Sequence, residues 1–354
     1  MKSKDSVFSK NKTPLPDVRL PTFFPDGTRG AVKTVCPADL SASKVEGLVM
    51  NSFHLMSKPG QSTIKALGGL HAFSGWRGPI IVDSGGFQVF SLIRENRAFG
   101  EIRKNEVIFR HEGKKTVLTP EKTVQTGLAY GADVIMALDF CTHPSDSQKI
   151  QEEAVSTTIR WGQKCMDAFK AKPSTSQLFG IIQGGSDKKL RKECAEALIG
   201  MGYENFGYGG WPLDDEGRLV EDVLAYTAEL MPAGKIKYAM GIGKPENIAR
   251  CVDLGYNLFD CVIPTREARR GRLYVFNGKS VAIGTKFYDF HYTLDEKHRR
   301  DKEPVSKLCD CYTCQNFSKG YLRHLAAIGD GLAWRLSTIH NLRFYTMLME
   351  SLRK

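Results

Sequence analysis

The sequence predicts an α/β fold: a (β/α)8 TIM barrel with an inserted β-hairpin and a C-terminal metal-binding subdomain. Three observations predict it. Short apolar runs alternate with longer amphipathic ones eight times along the chain, and such alternation argues for a parallel sheet. Eight units favour a closed barrel over an open doubly wound sheet. Near the C-terminus the alternation gives way to a C-x-C-x-x-C cluster and one long helical pattern.

The strand candidates, in order, are 31–35 (AVKTV), 48–51 (LVMN), 79–83 (PIIVD), 133–139 (DVIMALD), 178–183 (LFGIIQ), 205–209 (NFGYG), 237–241 (KYAMG) and 258–262 (LFDCV). Helical patterns lie between them at 39–47, 60–73, 120–131, 147–169, 187–200, 221–231 and 245–255. The segment 99–120 breaks the alternation: polar and apolar residues alternate around His111-Glu112-Gly113, which reads as an inserted β-hairpin. RLYVFNGKSVAIG (272–284) reads as a second short antiparallel piece, and 331–352 as a final helix. These bounds put the barrel at 1–285 and the C-terminal subdomain at 286–354.

With 354 residues and 42% hydrophobic content the chain can bury a large core. No apolar run approaches the roughly 18 residues of a membrane span. The start, MKSKDSVFSKNKTPLPDVRLP, is charged and has no apolar centre, so it does not read as a secretory signal. A soluble cytoplasmic protein without a membrane partner is the expectation. The net charge of +11 suits a polyanion partner. Its position says more, because basic residues crowd from Arg266 through Arg272, from Lys297 to Lys302, and at Lys307, Lys319 and Arg323. A solvated surface is the plain alternative, but the concentration favours nucleic acid.

Six of the nine cysteines are scattered, as small buried hydrophobes usually are, and three are clustered. Cys309, Cys311 and Cys314, with His340 in the final helix pattern, make a tetrahedral set for one Zn²⁺. Four protein ligands leave no position for water, so this zinc-binding subdomain is structural. His324 is the rival fourth ligand; His340 is preferred because a helix has to return to the loop that bears the thiols.

Polar residues close the strands. Asn51 ends the second, Asp83 the third, Asp139 the fourth and Gln183 the fifth; Gly209-Gly210 close the sixth, Met240-Gly241 the seventh, and Asp260 sits in the eighth. A barrel brings such ends to one face, where its chemistry is done. A lone Asp at a strand end is usually a helix cap or turn former. Three Asp and one Gln at matching ends are harder to read that way.

Two strings are unusual: Asp83-Ser84-Gly85-Gly86-Phe87-Gln88-Val89-Phe90, and Phe259-Asp260-Cys261-Val262-Ile263-Pro264-Thr265-Arg266. With C-x-C-x-x-C and the distant His340, in this order from about Arg29 to His340, the chain closely resembles the tRNA-guanine transglycosylases, or queuine tRNA-ribosyltransferases. The resemblance implies that guanine in the tRNA anticodon loop is exchanged for a 7-deazaguanine base, queuine or its precursor, by a zinc-containing homodimer. It implies Asp260 as nucleophile on the ribose and Asp83 as the carboxyl that handles the proton. Asp139, Gln183 and the backbone at Gly210 would read the purine edge, and Phe87 and Met240 would sandwich the base. Arg266 and Arg269 would hold the anticodon.

Two strings depart from the family's common form. Asp139-Phe140-Cys141 stands for Asp-Glu-Cys, and Gly209-Gly210-Trp211-Pro212-Leu213-Asp214-Asp215 for Gly-Gly-Leu-Ala-Val-Gly-Glu. The resemblance implies that the second loop contacts the side group of the incoming base, so these changes bear on which base is taken. Rival readings are a DNA-acting relative, a non-catalytic RNA-binding subunit and an unrelated metal-assisted hydrolase. The Pro-Thr-Arg string, the two Asp residues and the closed ligand set speak against them in turn.

Overall fold

Eight short strands lie parallel around one axis in the computed structural model, which describes residues 15, 18–111, 114–278 and 281–353. In chain order the strands are β1 Thr22–Pro25, β2 Leu48–Asn51, β3 Ile80–Asp83, β4 Gly100–Ile102, β5 Val107–His111, β6 Lys114–Leu118, β7 Val134–Met136, β8 Gln177–Ile182, β9 Phe206–Tyr208, β10 Lys237–Ala239, β11 Leu258–Cys261, β12 Arg272–Phe276 and β13 Tyr288–Tyr292. The large sheet runs β1-β11-β10-β9-β8-β7-β3-β2. It closes on itself where Gly27 N–H donates to Val49 O at 2.7 Å and Asn51 N–H to Thr28 O at 3.2 Å. The expected α/β barrel is therefore the fold, with the Cys₃His group beyond its last strand.

Seven of the eight expected strands are barrel strands. The first is corrected: Ala31–Val35 is a turn-rich connection with Thr34 at φ 76°, and Thr22–Pro25 takes its place. Pro21 and Pro25 argue against a strand in sequence, since proline cannot donate to a ladder. Here the chain resumes donating just beyond Pro25, at Gly27, and β1 pairs along its whole length with β11, Thr22 opposite Leu258 and Phe24 opposite Asp260. The inserted hairpin is real but wider, because β4 adds antiparallel to β5 and makes three strands; the Glu112-Gly113 turn lies outside the described residues. Likewise β12 pairs with β13 rather than within 272–284, across the boundary expected near 285.

Side chains alternate along a strand. Phe24, Val49, Ile81, Ile181, Tyr238 and Leu258 fill the barrel interior as one apolar cluster. The next residue on the same face of each strand is Asp26, Asn51, Asp83, Gln183, Met240 or Asp260. The inward rows thus run apolar through the barrel and, except at Met240, end polar at its C-terminal mouth.

The final helix, Gly331–Leu352, begins at an Asp330 cap and packs along the barrel wall. Asn341 accepts from Tyr274 N–H at 3.1 Å and donates to Pro264 O and Arg272 O. It therefore fixes the short helix Ile263–Arg269 and β12 at once. Among the described residues no helix is long and apolar enough to cross a membrane.

Candidate active site and metal centre

The string after β3 is a turn built for its glycines. Gly85 has φ 79°, and a Cβ there would stand 2.7 Å from the Phe53 Cβ. The Ser84 hydroxyl accepts from Gly86 N–H at 3.1 Å and starts the helix Gly86–Glu95. This sharp turn leaves Asp83 at the mouth and sets Phe87 on the rim, 40% exposed.

Asp83, Asp139 and Asp260 meet there, with Asp26 close enough to act on Asp260. Burial first, then the charges of Asp139 and Asp260, raise Asp83 to about 7, while the Ser84 and Gly85 N–H groups oppose the rise. Burial raises Asp139 to about 6, with the Gln183 amide opposing it. Gln183 Nε2 donates to Asp139 Oδ2 at 2.6 Å, and Gln183 Oε1 is buried with no partner. Burial also raises Asp260 to about 6, against Gly241 N–H, 2.8 Å from Oδ1, and the Tyr238 hydroxyl. Around neutral pH Asp260 is mostly ionised and Asp83 is split between acid and base. That is the division of labour a nucleophile and a proton carrier need.

The rim is aromatic. The Trp211 ring lies 5.4 Å from Phe87 and 5.5 Å from His143, so the loops after β3, β7 and β9 touch. Arg94 donates to Asp146 and Ser145 and pins the His143 loop to the Phe87 helix. In the Trp211 loop it is Asp214, not the exposed Asp215, that binds the chain, accepting from Arg218 N–H at 2.8 Å. Met240 lies on the opposite side, against the barrel cluster and the Gly207 backbone.

Glu267 is surrounded by guanidinium groups: Arg266 at 3.5 Å, Arg270 at 3.9 Å and Arg272 at 2.9 Å. One carboxylate leaves this cluster net positive. No carboxylate of the described residues lies within ion-pair distance of Arg269, whose Nη1 is buried without a partner. Burial, with repulsion from Arg266 and Arg270, pulls its pKa down against the attraction of Asp26.

Cys309, Cys311, Cys314 and His340 are all buried, and their ligand atoms lie within 4.8 Å of one another. His340 Nε2 lies 2.8 Å from Tyr274 O. Donation there leaves Nδ1 bare toward the Cys311 and Cys314 sulfurs, at 3.7 and 3.2 Å, and an oriented imidazole of this kind suits a metal. His324 is exposed and outside the group, whose fourth member is His340.

All of the expected carboxyl, amide and thiol groups thus come together at two places. Sequence reasoning missed Tyr238, which binds Asp260, and His143, which backs Trp211. Tyr238 was open to detection: two residues before Met240, it shares that residue's inward face. His143 sits in a loop without periodicity and gave no such signal.

A family model described as queuine tRNA-ribosyltransferase matches residues 8–354. Curated proteins named queuine tRNA-ribosyltransferase are similar along nearly the whole chain. That of Psychrobacter cryohalolentis is 41% identical over 339 residues, 95% of this chain and 86% of its own. Those of Actinobacillus pleuropneumoniae serotype 3 and Staphylococcus haemolyticus are 39% and 38% identical, covering 95% and 97% of this chain and 85% and 86% of their own.

Proposed function

The chain belongs to the queuine tRNA-ribosyltransferase family, and from that premise we propose that it exchanges guanine at the anticodon wobble position of tRNA for a 7-deazaguanine base through a covalent Asp260–ribose intermediate. The observation that carries the mechanism is the meeting of Asp260, held by Gly241 and Tyr238, with a proton-sharing Asp83 in one desolvated mouth.

The Asp260 carboxylate attacks the ribose anomeric carbon. The glycosidic bond breaks and its electron pair leaves with the purine, which takes a proton from Asp83 in its acid form. In the return step the incoming base gives a proton to the Asp83 carboxylate and attacks the same carbon. The sugar–Asp260 bond then breaks and returns its pair to Asp260. Two displacements give net retention. The guanine has to leave its stack, and Phe87 and Met240 replace the lost neighbours. A carboxylate only accepts, so Asp139 faces the donor side of the guanine edge, and the carbonyl beside it requires the Gly210 N–H.

Arg266 and Arg269 hold the anticodon; the support is a net positive cluster with an unpartnered buried guanidinium. Cys309, Cys311, Cys314 and His340 hold one Zn²⁺, which ties the final helix to its loop and takes no part in the chemistry. The enzyme acts as a cytoplasmic homodimer. Its support is an exposed aromatic face beside the metal group, where Tyr312 and Tyr321 are 56% and 41% exposed and Phe317 stacks on Tyr321 at 5.4 Å.

Denaturing electrophoresis of enzyme with tRNA and a slow incoming base tests the mechanism. Wild type gives a protein–tRNA band that survives denaturant, and Asp260→Asn gives none. A band from Asp260→Asn assigns the nucleophile elsewhere.

A further inference from the structure

Arg191 is the most deeply buried guanidinium among the described residues, 1% exposed, and no carboxylate of the described residues lies within ion-pair distance of it. A guanidinium stays protonated, and burying it without a counter-charge is costly unless its donors are satisfied. Three of its donors are held by backbone carbonyls. Nε donates to Gly185 O at 2.8 Å, Nη1 to Ile182 O at 3.0 Å and Nη2 to Gly209 O at 3.0 Å. Its face lies 4.1 Å from the centre of the Tyr208 ring. These carbonyls belong to the ends of β8 and β9, on either side of Gln183. A surface helix, Lys188–Met201, has therefore sent its cation inward to cross-link two neighbouring loops at the base of the mouth.

The peptide joining Gly209 to Gly210 is where this matters. In a trans peptide the C=O and the following N–H point in opposite directions. With Gly209 O held on Arg191, the Gly210 N–H must point away from it. It faces the Cys141 sulfur, two residues on from Asp139, and that thiol lies near enough to Asp139 and Asp83 to feel both charges. The two glycines permit this: Gly210 has φ 88°, and a Cβ on Gly209 would stand 2.6 Å from Gln183 Nε2.

We infer that Arg191 is a positioning residue that aims the Gly210 N–H at the oxygen on C6 of the purine. It does so by holding the Gly209 carbonyl from behind, without touching the base. The inference rests on the proposed base exchange and adds to it a residue outside the pocket.

The test uses 2-aminopurine, which keeps the 2-amino donor of guanine and has no oxygen at C6. Its fluorescence gives its own dissociation constant, and displacement by guanine gives the second, neither requiring turnover. Arg191→Lys keeps the charge but loses the fork that reaches three carbonyls. It is expected to weaken guanine about tenfold, the worth of one well-placed hydrogen bond, and to leave 2-aminopurine within about twofold. Tyr208→Leu removes the ring beneath the guanidinium and shifts the same ratio in the same direction by less. Because the ratio of two constants does not depend on the folded fraction, partial unfolding does not mimic the result. Equal weakening of both purines, or an unchanged ratio in both variants, overturns the inference. Failure of wild type to release guanine from tRNA would instead overturn the base exchange itself.

Discussion

Asn51 Nδ2 donates to Asp83 Oδ2 at 2.7 Å, and the two residues face each other in register at the ends of β2 and β3. One oxygen of the proton-carrying carboxyl is thereby held while the group stays free to gain or lose its proton, because an amide donor serves either form. Oriented in this way, Asp83 titrates near neutrality, where a proton carrier is most effective.

The pH dependence follows. First-half exchange needs Asp260 ionised and Asp83 protonated, so kcat/KM is expected to be bell-shaped, falling below about 6 and above about 7. Asp83→Asn should lower kcat by about 10²–10⁴ and abolish the alkaline limb. A variant that keeps both limbs would remove Asp83 from the proton path.

Stability, unlike the bell-shaped activity, changes in one direction only with pH. The folded pKa of Asp83, about 7, lies above the ordinary 3.8, so the fold favours the neutral acid. That contribution is complete below about 3.8 and is lost as pH rises through about 7. Asp83→Asn, permanently neutral, should therefore melt a few degrees above wild type at pH 8 and lose the advantage at pH 4, by calorimetry. A lower melting point at pH 8 would mean that the carboxylate is a structural partner.

Base choice depends on the rim. Trp211 rests on Phe87 and His143, and Pro212 has no N–H to offer. Trp211→Leu with Pro212→Ala should reorder the exchange rates of guanine, the aminomethyl precursor and queuine, changing guanine by less than about threefold. A uniform fall in all rates would make the loop merely structural.

The Arg266→Ala, Arg269→Ala double variant should bind tRNA more weakly and reduce the slope of log K against log salt by about 1–2. An unchanged slope by filter binding would leave these side chains to Glu267 and the protein interior.

Loss of the metal should disturb the anticodon side. The final helix carries both His340 and the Asn341 that fastens Pro264 and Arg272. Cys314→Ala, or chelation, should remove about one equivalent of zinc by elemental analysis, lower the melting temperature and weaken tRNA binding. His324→Ala should change none of these.

The sequence by itself determined the parts whose signal is local. Short apolar runs and amphipathic stretches follow from strand and helix periodicity, and seven of eight barrel strands were legible in them. C-x-C-x-x-C is a metal motif at any position in a chain, and the two strings around Asp83 and Asp260 need only their own neighbours to be recognised. What the sequence left undecided was relational. β1 is a strand because β11 is there to pair with it along its whole length, and Pro21 and Pro25 hide that locally. Trp211 meets His143 across 68 residues of chain, Tyr238 meets Asp260, and Arg191 meets the Gly209 carbonyl, each because the sheet sets β7 to β11 side by side. The shifted carboxyls belong to the same class. A pKa depends on how much water the fold removes and which charges it brings near, and both arise only when distant strands end at one mouth.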